Sequence, residues 1–317
     1  MGSLRAVWPR RIIGLRLLLV VAVAAGGWLA LAAGLSGAGA KGYSAYADPE
    51  KPVLSYLLSD DRNVEELQKE FGLSDEQVQE ILAVVRGENS VLSEEYEESD
   101  RIIEANEGAS RTEIKSKIAA SDFDEKVKQA VAKTKSELGK RLPKGRADDL
   151  GSWVDEQWQA ETAEYTATSE TTYQVSSTGY SCRVWMSYYR GNTRYEVALP
   201  HQKVKFSGGH RVRITDVRKG TSAWAPVKET GPWNTRDDYW RSRLDRSMWN
   251  DLPRCLPEAE AAFFDNYNRG EDQFGREVGN PAGVDITPAV ARRMDVWRKI
   301  QRLGLVKVRV HYPWVRR

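Results

Sequence analysis

The stretch HRVRITDVRKGTSAWAPVKETGPW, residues 210–233, indicates the fold of the C-terminal half of this chain. Apolar and polar side chains alternate in RVRIT and again in SAWAPVKE, which is the period of half-buried β-strands. A glycine-containing turn separates the two runs, and Gly231-Pro232 ends the second. We expect Trp224 to point into the core with Val227. The stretch therefore predicts two paired strands followed by a rigid turn.

Other runs of β-strand type surround this pair: CRVWMSYY, RYEVALP, KVKFS and LVKVRVHY. The strands are short, they are broken by Gly, Asn and Pro, and the last one closes the chain, which is typical of a small barrel. Between the fifth strand and the last, residues of about 236–279 have the pattern of a partly helical insertion. We therefore predict a barrel domain over residues 180–317.

The N-terminal half has a helical period instead. In SDEQVQEILAVVRGEN the helix starts at Ser74 as N-cap, and in SDFDEKVKQAVAKTKSELGK the expected N-cap is Ser121. Residues 41–165 are predicted to form a helical region, either a compact bundle or an antiparallel stalk. Residues 166–179, rich in Ser and Thr, are predicted to be a linker or a first strand. The expected fold class is α+β, with a helical N-terminal region followed by a small barrel.

The first forty residues have the features of an export signal. Four arginines surround the start of LLLVVAVAAGGWLALAAGL, residues 17–35, which carries no charge. Ala38-Gly39-Ala40 fits a cleavage site, so residues 1–40 are predicted to be a signal peptide or an uncleaved anchor. Either outcome places residues 41–317 outside the cell, secreted or anchored. Contact with a membrane is expected only through residues 12–35, if the segment stays uncleaved.

Charge is distributed unevenly although the net charge is only +2. Residues 59–107 hold sixteen acidic side chains against four basic ones, and residues 289–317 hold nine basic against one acidic. The basic segment suits an anionic partner such as a wall polymer, a membrane surface or nucleic acid, or is a solvated face. Residues 64–82 have the sequence pattern of a helix-turn-helix motif. We do not expect this segment to bind nucleic acid, because its second helix begins with acidic residues, which phosphates repel.

Cys182 and Cys255 are the two cysteines of the chain. In an exported protein they are expected to form one disulfide, which would stabilise the fold by roughly 4 kcal/mol in the chain-entropy model. Two cysteines and three scattered histidines provide too few ligands for a zinc site, so no metal or cofactor is predicted.

Three pieces of the C-terminal half occur in a recognisable order. They are RVRITDV and VKETGPW within residues 210–233, NPAGVDITPAVARRM at 280–294 with Asp285 at its turn, and VKVRV at 306–310. Together they resemble the double-psi β-barrel of the rare lipoprotein A group, which is related to expansins and barrel-type lytic transglycosylases. The resemblance covers roughly residues 180–317 without the insertion.

The resemblance implies an envelope protein that acts on peptidoglycan or another wall glycan. In catalytic relatives the Asp of the turn, Asp285 here, is the acid/base, and a carboxylic acid beside apolar surface can protonate a glycosidic oxygen. Catalytic relatives also use a His and a Glu upstream of the first matched strand, and His201 and Glu196 lie near those positions. Glu229 stands where the relatives have an Asp before the Gly-Pro turn. Candidates for a second carboxylate are Asp216, Glu229, Asp237 and Asp238. The lipid-anchoring cysteine of the group is missing.

Aromatic and acidic residues are dense after the Gly-Pro turn. Sugar rings bind to exposed aromatic faces beside carboxylates, and each such contact would contribute about 1 kcal/mol. The predicted glycan-binding residues are Trp233, Asp237, Asp238, Tyr239 and Trp240. Packing of the insertion onto the barrel explains the same residues.

The sequence leaves three functions open. The first is a barrel that binds or remodels a wall glycan, as expansins do. The second is a lytic transglycosylase or glycosidase that uses Asp285. The third is a non-catalytic module whose helical region recruits an envelope protein.

Overall fold

The computed structural model describes residues 44–168, 173–176, 179–191 and 193–315. The predicted signal or anchor, residues 1–40, lies outside the described residues, as does the segment 12–35 within it. Among the helices of the described ranges, none combines the length and apolarity that crossing a bilayer requires.

The N-terminal half is helical, as predicted, and its described residues form six helices. Two of them begin with a capping box. The side-chain oxygen of the N-cap, Ser74 or Ser110, accepts a hydrogen bond from the backbone N–H three residues later, and the side chain of that later residue accepts one from the backbone N–H of the serine. Gly72 in the left-handed region ends the second helix and separates it from the third. The fifth helix begins after Asp122 rather than at Ser121. The helices are α1 (Val53–Leu57), α2 (Asp61–Phe71), α3 (Asp75–Ala105), α4 (Arg111–Ala119), α5 (Phe123–Arg141) and α6 (Asp149–Thr168).

Seven strands follow, and six of them close into a barrel. The strands are β1 (Tyr173–Ser176), β2 (Gly179–Tyr188), β3 (Val197–Leu199), β4 (Arg211–Asp216), β5 (Ser222–Thr230), β6 (Ala282–Ile286) and β7 (Val306–Tyr312). The order β2-β6-β3-β5-β4-β7 closes through pairing of β7 with β2. Two pairs are parallel, β2 with β6 and β3 with β5. The strand β1 lies in the predicted linker and pairs with β2.

Short helices interrupt the strands. The run KVKFS, predicted as a strand, lies in helix α7 (Gln202–Phe206) instead. Between β5 and β6 lies the predicted insertion, which contains α8 (Glu258–Asp265) and a 3-10 turn at Tyr267–Gly270. The helices α9 (Pro288–Arg293) and α10 (Trp297–Leu303) connect β6 to β7.

Three apolar cores lie in the described residues, which form one unit, and the third and smallest packs α3, α4 and α5 together. The first fills the barrel, where Val184, Val284 and Val310 are buried. The second joins the helical region to the insertion, and it includes Leu57 of α1 and Phe263 of α8. The helical region therefore packs against the C-terminal domain.

The predicted disulfide is confirmed, since Cys182 of β2 is bonded to Cys255 of the insertion. Another expectation is wrong: Trp224 points outward and is 43 % exposed. Alternate residues of β5 are buried, namely Ala223, Ala225 and Val227, so Trp224 lies on the opposite face of the strand from them.

Candidate functional site

A cavity of about 140 Å³ lies where the helical region meets the barrel. Helices α1 and α3 form one side of it, and the ends of β2 and β6 form the other. The segment around Pro232 and Trp233 and residues of the insertion complete the wall. The site is therefore shared between the two halves of the chain.

Asp285 brings a carboxyl group into this cavity from the outer face of the barrel wall. Its neighbours Val284 and Ile286 point into the barrel core, so the alternation of β6 turns Asp285 toward the helices. The parallel register of β2 with β6 places Ser187 opposite Asp285, and Ser187 Oγ donates a hydrogen bond to Asp285 Oδ1.

Burial raises the pKa of Asp285 from 3.8 to about 7, and the negative charge of Asp100 adds to the effect. The hydrogen bond from Ser187 acts in the opposite direction, because it stabilises the ionised carboxylate. A carboxyl group with this pKa is partly protonated near neutral pH, so it can both donate and accept a proton.

Two aromatic side chains form the wall opposite the strands. Trp233 packs edge to face against Tyr96 of α3, with ring centroids 4.6 Å apart. A Cβ atom at Gly279 would lie only 2.1 Å from the hydroxyl oxygen of Tyr96, so this glycine permits the close approach. Trp233 itself has a φ of 62°, a left-handed conformation that is unusual for a bulky residue. Its ring is thus held in place by the surrounding structure.

Arg276 fixes Trp233 and α3 relative to each other. Its guanidinium is buried and donates to Asp272 Oδ2 at 2.7 Å, to Asp100 Oδ1 at 2.6 Å and to Ser99 Oγ at 2.7 Å. It also donates to the backbone carbonyl of Trp233 at 3.1 Å. Hydrogen bonds from a charged guanidinium to carboxylates are stronger than those between neutral groups. The network therefore holds α3, the insertion and the segment of Trp233 together around the cavity.

Two of the residues that line the cavity carry a buried hydrogen-bond donor without a partner among the described residues. The donors are the indole Nε1 of Trp233 and the amide Nδ2 of Asn89. A buried N–H without an acceptor costs free energy, which a ligand oxygen would recover. The cavity is therefore lined by Asp285, whose pKa is raised, and by two residues with unpaired donors.

Tyr189 lines the cavity and connects it to a second carboxylate. Its hydroxyl donates to Glu196 Oε1 at 3.1 Å, and Thr193 Oγ1 donates to the other carboxylate oxygen. Burial, followed by the charges of Glu196 and Asp285, raises the pKa of Tyr189. Glu196 is fully buried and does not reach the cavity, so it acts as a brace for Tyr189.

The other two predicted catalytic residues lie outside the cavity lining. His201 is buried, with Nε2 3.2 Å from Ser247 Oγ and 3.6 Å from Asp238 Oδ2. Glu229 contacts Lys205 through its carboxylate. Glu229 and Asp285 flank the same residue, Ala198 of β3, so their backbones are two strand spacings, about 10 Å, apart. The structure brings neither His201 nor Glu229 to the carboxyl of Asp285.

Of the five predicted glycan-binding residues, only Trp233 lines the cavity. Asp237 is buried and paired with Arg246 and the backbone N–H of Glu258, and Asp238 accepts from the backbone and side chain of Ser247. These contacts lie within the insertion and occupy both carboxylates.

The remaining two aromatic residues have the same kind of environment. The hydroxyl of Tyr239 donates to the carbonyl of Gly283 at 2.9 Å, and Trp240 stacks on Tyr312 with ring centroids 5.0 Å apart. Trp240 is only 1 % exposed, so its ring presents no face to a ligand in this structure.

Sequence reasoning did not identify Ser187, Tyr96, Asn89 or Arg276 as site residues. Ser187 follows from the register of two strands that are almost a hundred residues apart in the chain, and the other three depend on how α3 and the insertion pack. Three or more His, Cys, Asp or Glu side chains do not converge as metal ligands anywhere in the described ranges.

Residues 171–307 match a family whose description is "Domain of unknown function (DUF8814)". The matched region extends from β1 to the start of β7, so it contains most of the barrel, the insertion and Asp285. No curated protein and no solved structure matches the chain.

Proposed function

We propose that this chain is an exported envelope protein whose barrel, of double-psi type, binds or remodels peptidoglycan or a related wall glycan at the cavity of Asp285. The observation that carries the proposal is the carboxyl of Asp285, with a pKa raised to about 7, in a cavity whose lining includes aromatic residues and two residues with unpaired buried N–H donors. The two parallel strand pairs support the barrel type, and the sequence of residues 1–40 supports export.

The size of the cavity limits what enters it. At about 140 Å³ it is smaller than the roughly 300–1,000 Å³ of most small-molecule pockets, so a single substituent fits rather than a chain of rings. An acetamido group has the required chemistry. Its carbonyl accepts from Trp233 Nε1 or Asn89 Nδ2, its methyl packs on the ring of Tyr96, and its N–H donates to Asp285.

Co-sedimentation of the full chain with purified sacculi tests this proposal. Trp233→Phe keeps an aromatic ring but removes the indole N–H, so we expect binding to weaken by about tenfold. Trp153→Phe is the matched control, because Trp153 is buried against Phe71 in the helical region, away from the cavity. Absence of the wild-type protein from the pellet would overturn the proposal and favour a protein partner of the helical region.

Cleavage is a second candidate, and the raised pKa of Asp285 favours it. The protonated carboxyl would give its proton to the glycosidic oxygen as the bond from that oxygen to the anomeric carbon breaks. The resulting carboxylate would accept the proton of the sugar's own 6-hydroxyl while that oxygen bonds to the anomeric carbon. The products are a free hydroxyl on one fragment and an anhydro sugar on the other, with no water consumed.

A further inference from the structure

The outer face of four neighbouring barrel strands, β5-β4-β7-β2, carries a row of basic and aromatic side chains. Arg213 of β4 lies opposite Trp224 of β5 on one side and opposite His311 of β7 on the other. One step along the strands, Arg309 of β7 lies opposite Arg183 of β2. Residues opposite each other share a face of the sheet, so these side chains form one surface, which we call the arginine face.

The arginine face has no acidic residue of its own. The outward positions of the four strands hold Arg, Lys, His, Trp, Ser, Thr, Pro and Gly, and none is Asp or Glu. Arg183, Arg211, Arg213 and Arg309 are exposed, and none forms an ion pair within the described part of the chain. The carboxylate of Glu260, in the insertion, is held by Lys307 at 2.7 Å and also attracts Arg183.

The facing pair of Arg183 and Arg309 is unfavourable in the isolated protein. Like charges directly opposite each other on a sheet destabilise it, and Glu260, the carboxylate that attracts Arg183, is already paired with Lys307. An anion bound across the pair would remove this repulsion, and guanidinium groups suit carboxylate and phosphate because they donate two parallel hydrogen bonds. The surface is therefore complementary to a ligand with repeated negative charges.

Trp224 adds a flat apolar surface beside these charges. It is 43 % exposed, more than any other tryptophan in the described residues. Its ring packs edge to face with that of His311 at 6.1 Å, and His311 Nδ1 lies 3.0 Å from Ser181 Oγ. The indole is thus held next to Arg213 with a face open to solvent, which is how proteins hold the C–H face of a sugar ring.

We propose that the arginine face is a second binding site, for an anionic polysaccharide whose carboxylates or phosphates contact Arg183, Arg213 and Arg309 while one sugar ring stacks on Trp224. One exposed indole beside a row of guanidinium groups fits a sugar polymer better than single-stranded nucleic acid, which is bound by several stacking aromatics in succession. None of Arg183, Arg213, Arg309 and Trp224 lines the cavity of Asp285. The two sites can therefore be tested separately.

Binding of the full chain to polygalacturonate, measured by fluorescence anisotropy, tests this proposal, with the fully methyl-esterified polymer as the uncharged counterpart. We expect binding to the charged polymer only, and we expect it to weaken by about tenfold or more in the double variant Arg213→Gln/Arg309→Gln and by a similar factor in Trp224→Ala. The matched control is Lys133→Gln/Arg293→Gln, which removes the same charge from exposed positions on α5 and α9.

Three results would overturn the proposal: no binding to polygalacturonate, equal binding to the ester, or equal losses in the control variant. Equal affinity for single-stranded DNA or for phosphatidylglycerol vesicles, insensitive to Trp224→Ala, would likewise show a general cationic surface instead. Asp285→Asn is expected to leave binding to polygalacturonate unchanged, so failure of the cavity proposal and failure of this one are distinguishable.

Discussion

Ser187 and Asp285 lie opposite each other on two parallel strands, and the hydroxyl of Ser187 donates to the carboxylate of Asp285. This hydrogen bond is the protein's main means of lowering a pKa that burial raises. The balance between the two effects sets the protonation state of the acid near neutral pH.

Replacing Ser187 by Ala is expected to raise the pKa of Asp285 further, by about one unit, because the ionised carboxylate loses its donor. The measurement is the carboxyl carbon resonance of Asp285, followed by NMR as a function of pH and assigned by comparison with Asp285→Asn. Ser187→Thr keeps the hydroxyl and should leave the midpoint unchanged. An unchanged midpoint in Ser187→Ala would show that the hydroxyl does not stabilise the ionised form.

Asp285 is expected to lower the stability of the fold as pH rises. Its pKa is raised from 3.8 to about 7, so the folded protein keeps a proton that the unfolded chain releases. Its favourable contribution is therefore fully present below pH 3.8 and is lost progressively up to about pH 7.

Asp285→Asn removes this dependence. We expect the variant to be more stable than the wild type at pH 8, by about 2–4 kcal/mol, and nearly equal to it at pH 4. Urea unfolding at the two pH values measures the difference. Asp295→Asn, at an exposed position, serves as the control and should change stability at neither pH. A variant less stable than the wild type at pH 8 would show that Asp285 is a structural anion.

We expect Arg276 to contribute most to holding α3 and the insertion over the cavity. Arg276→Gln leaves Asp272 buried without its cation, so we expect a loss of about 3–5 kcal/mol in the free energy of unfolding. Asp100→Asn removes the exposed partner of the same arginine and should cost less than about 1 kcal/mol. Denaturant unfolding measures the free energy of unfolding of the two variants. Equal losses of stability would show that the buried Asp272 and the exposed Asp100 depend on Arg276 to the same extent.

The disulfide between Cys182 and Cys255 closes a loop of 73 residues. In the chain-entropy model its removal costs about 4 kcal/mol, mainly by freeing the unfolded chain. Thermal unfolding with and without reductant measures this, and Cys182→Ala/Cys255→Ala should unfold like the reduced wild type. If reduction leaves the unfolding temperature unchanged, the insertion is held by its packing alone.

Local patterns were sufficient to predict several elements of the fold. The alternation in β4 and β5 and the N-cap at Ser74 are properties of short stretches, so they can be read without knowing what packs nearby. Trp224 shows the limit of this reasoning. It was expected to share the inward face with Val227, but the faces of a strand alternate strictly, so residues three positions apart lie on opposite faces, and Ala223 and Ala225 take the inward positions with Val227.

The candidate site was predictable only in part. Asp285 was identified through the pattern of its turn, whereas its partner Ser187 depends on pairing between strands distant in the chain. An amphipathic helix such as α3 reveals which face it buries but not what it is buried against, so the roles of Tyr96 and Asn89 could not be foreseen. Asp237 and Tyr239 resembled a sugar-binding surface because buried networks use the same residue types.

The most direct test of the central claim is incubation of the full chain with purified sacculi, followed by chromatography of the soluble products and assay of the pelleted protein. Our account predicts that the wild type sediments with the sacculi, and that any muropeptides it releases are absent with Asp285→Asn and persist with Asp295→Asn. Muropeptides released equally by wild type and Asp285→Asn, or a wild-type protein that neither binds nor releases anything, would contradict it.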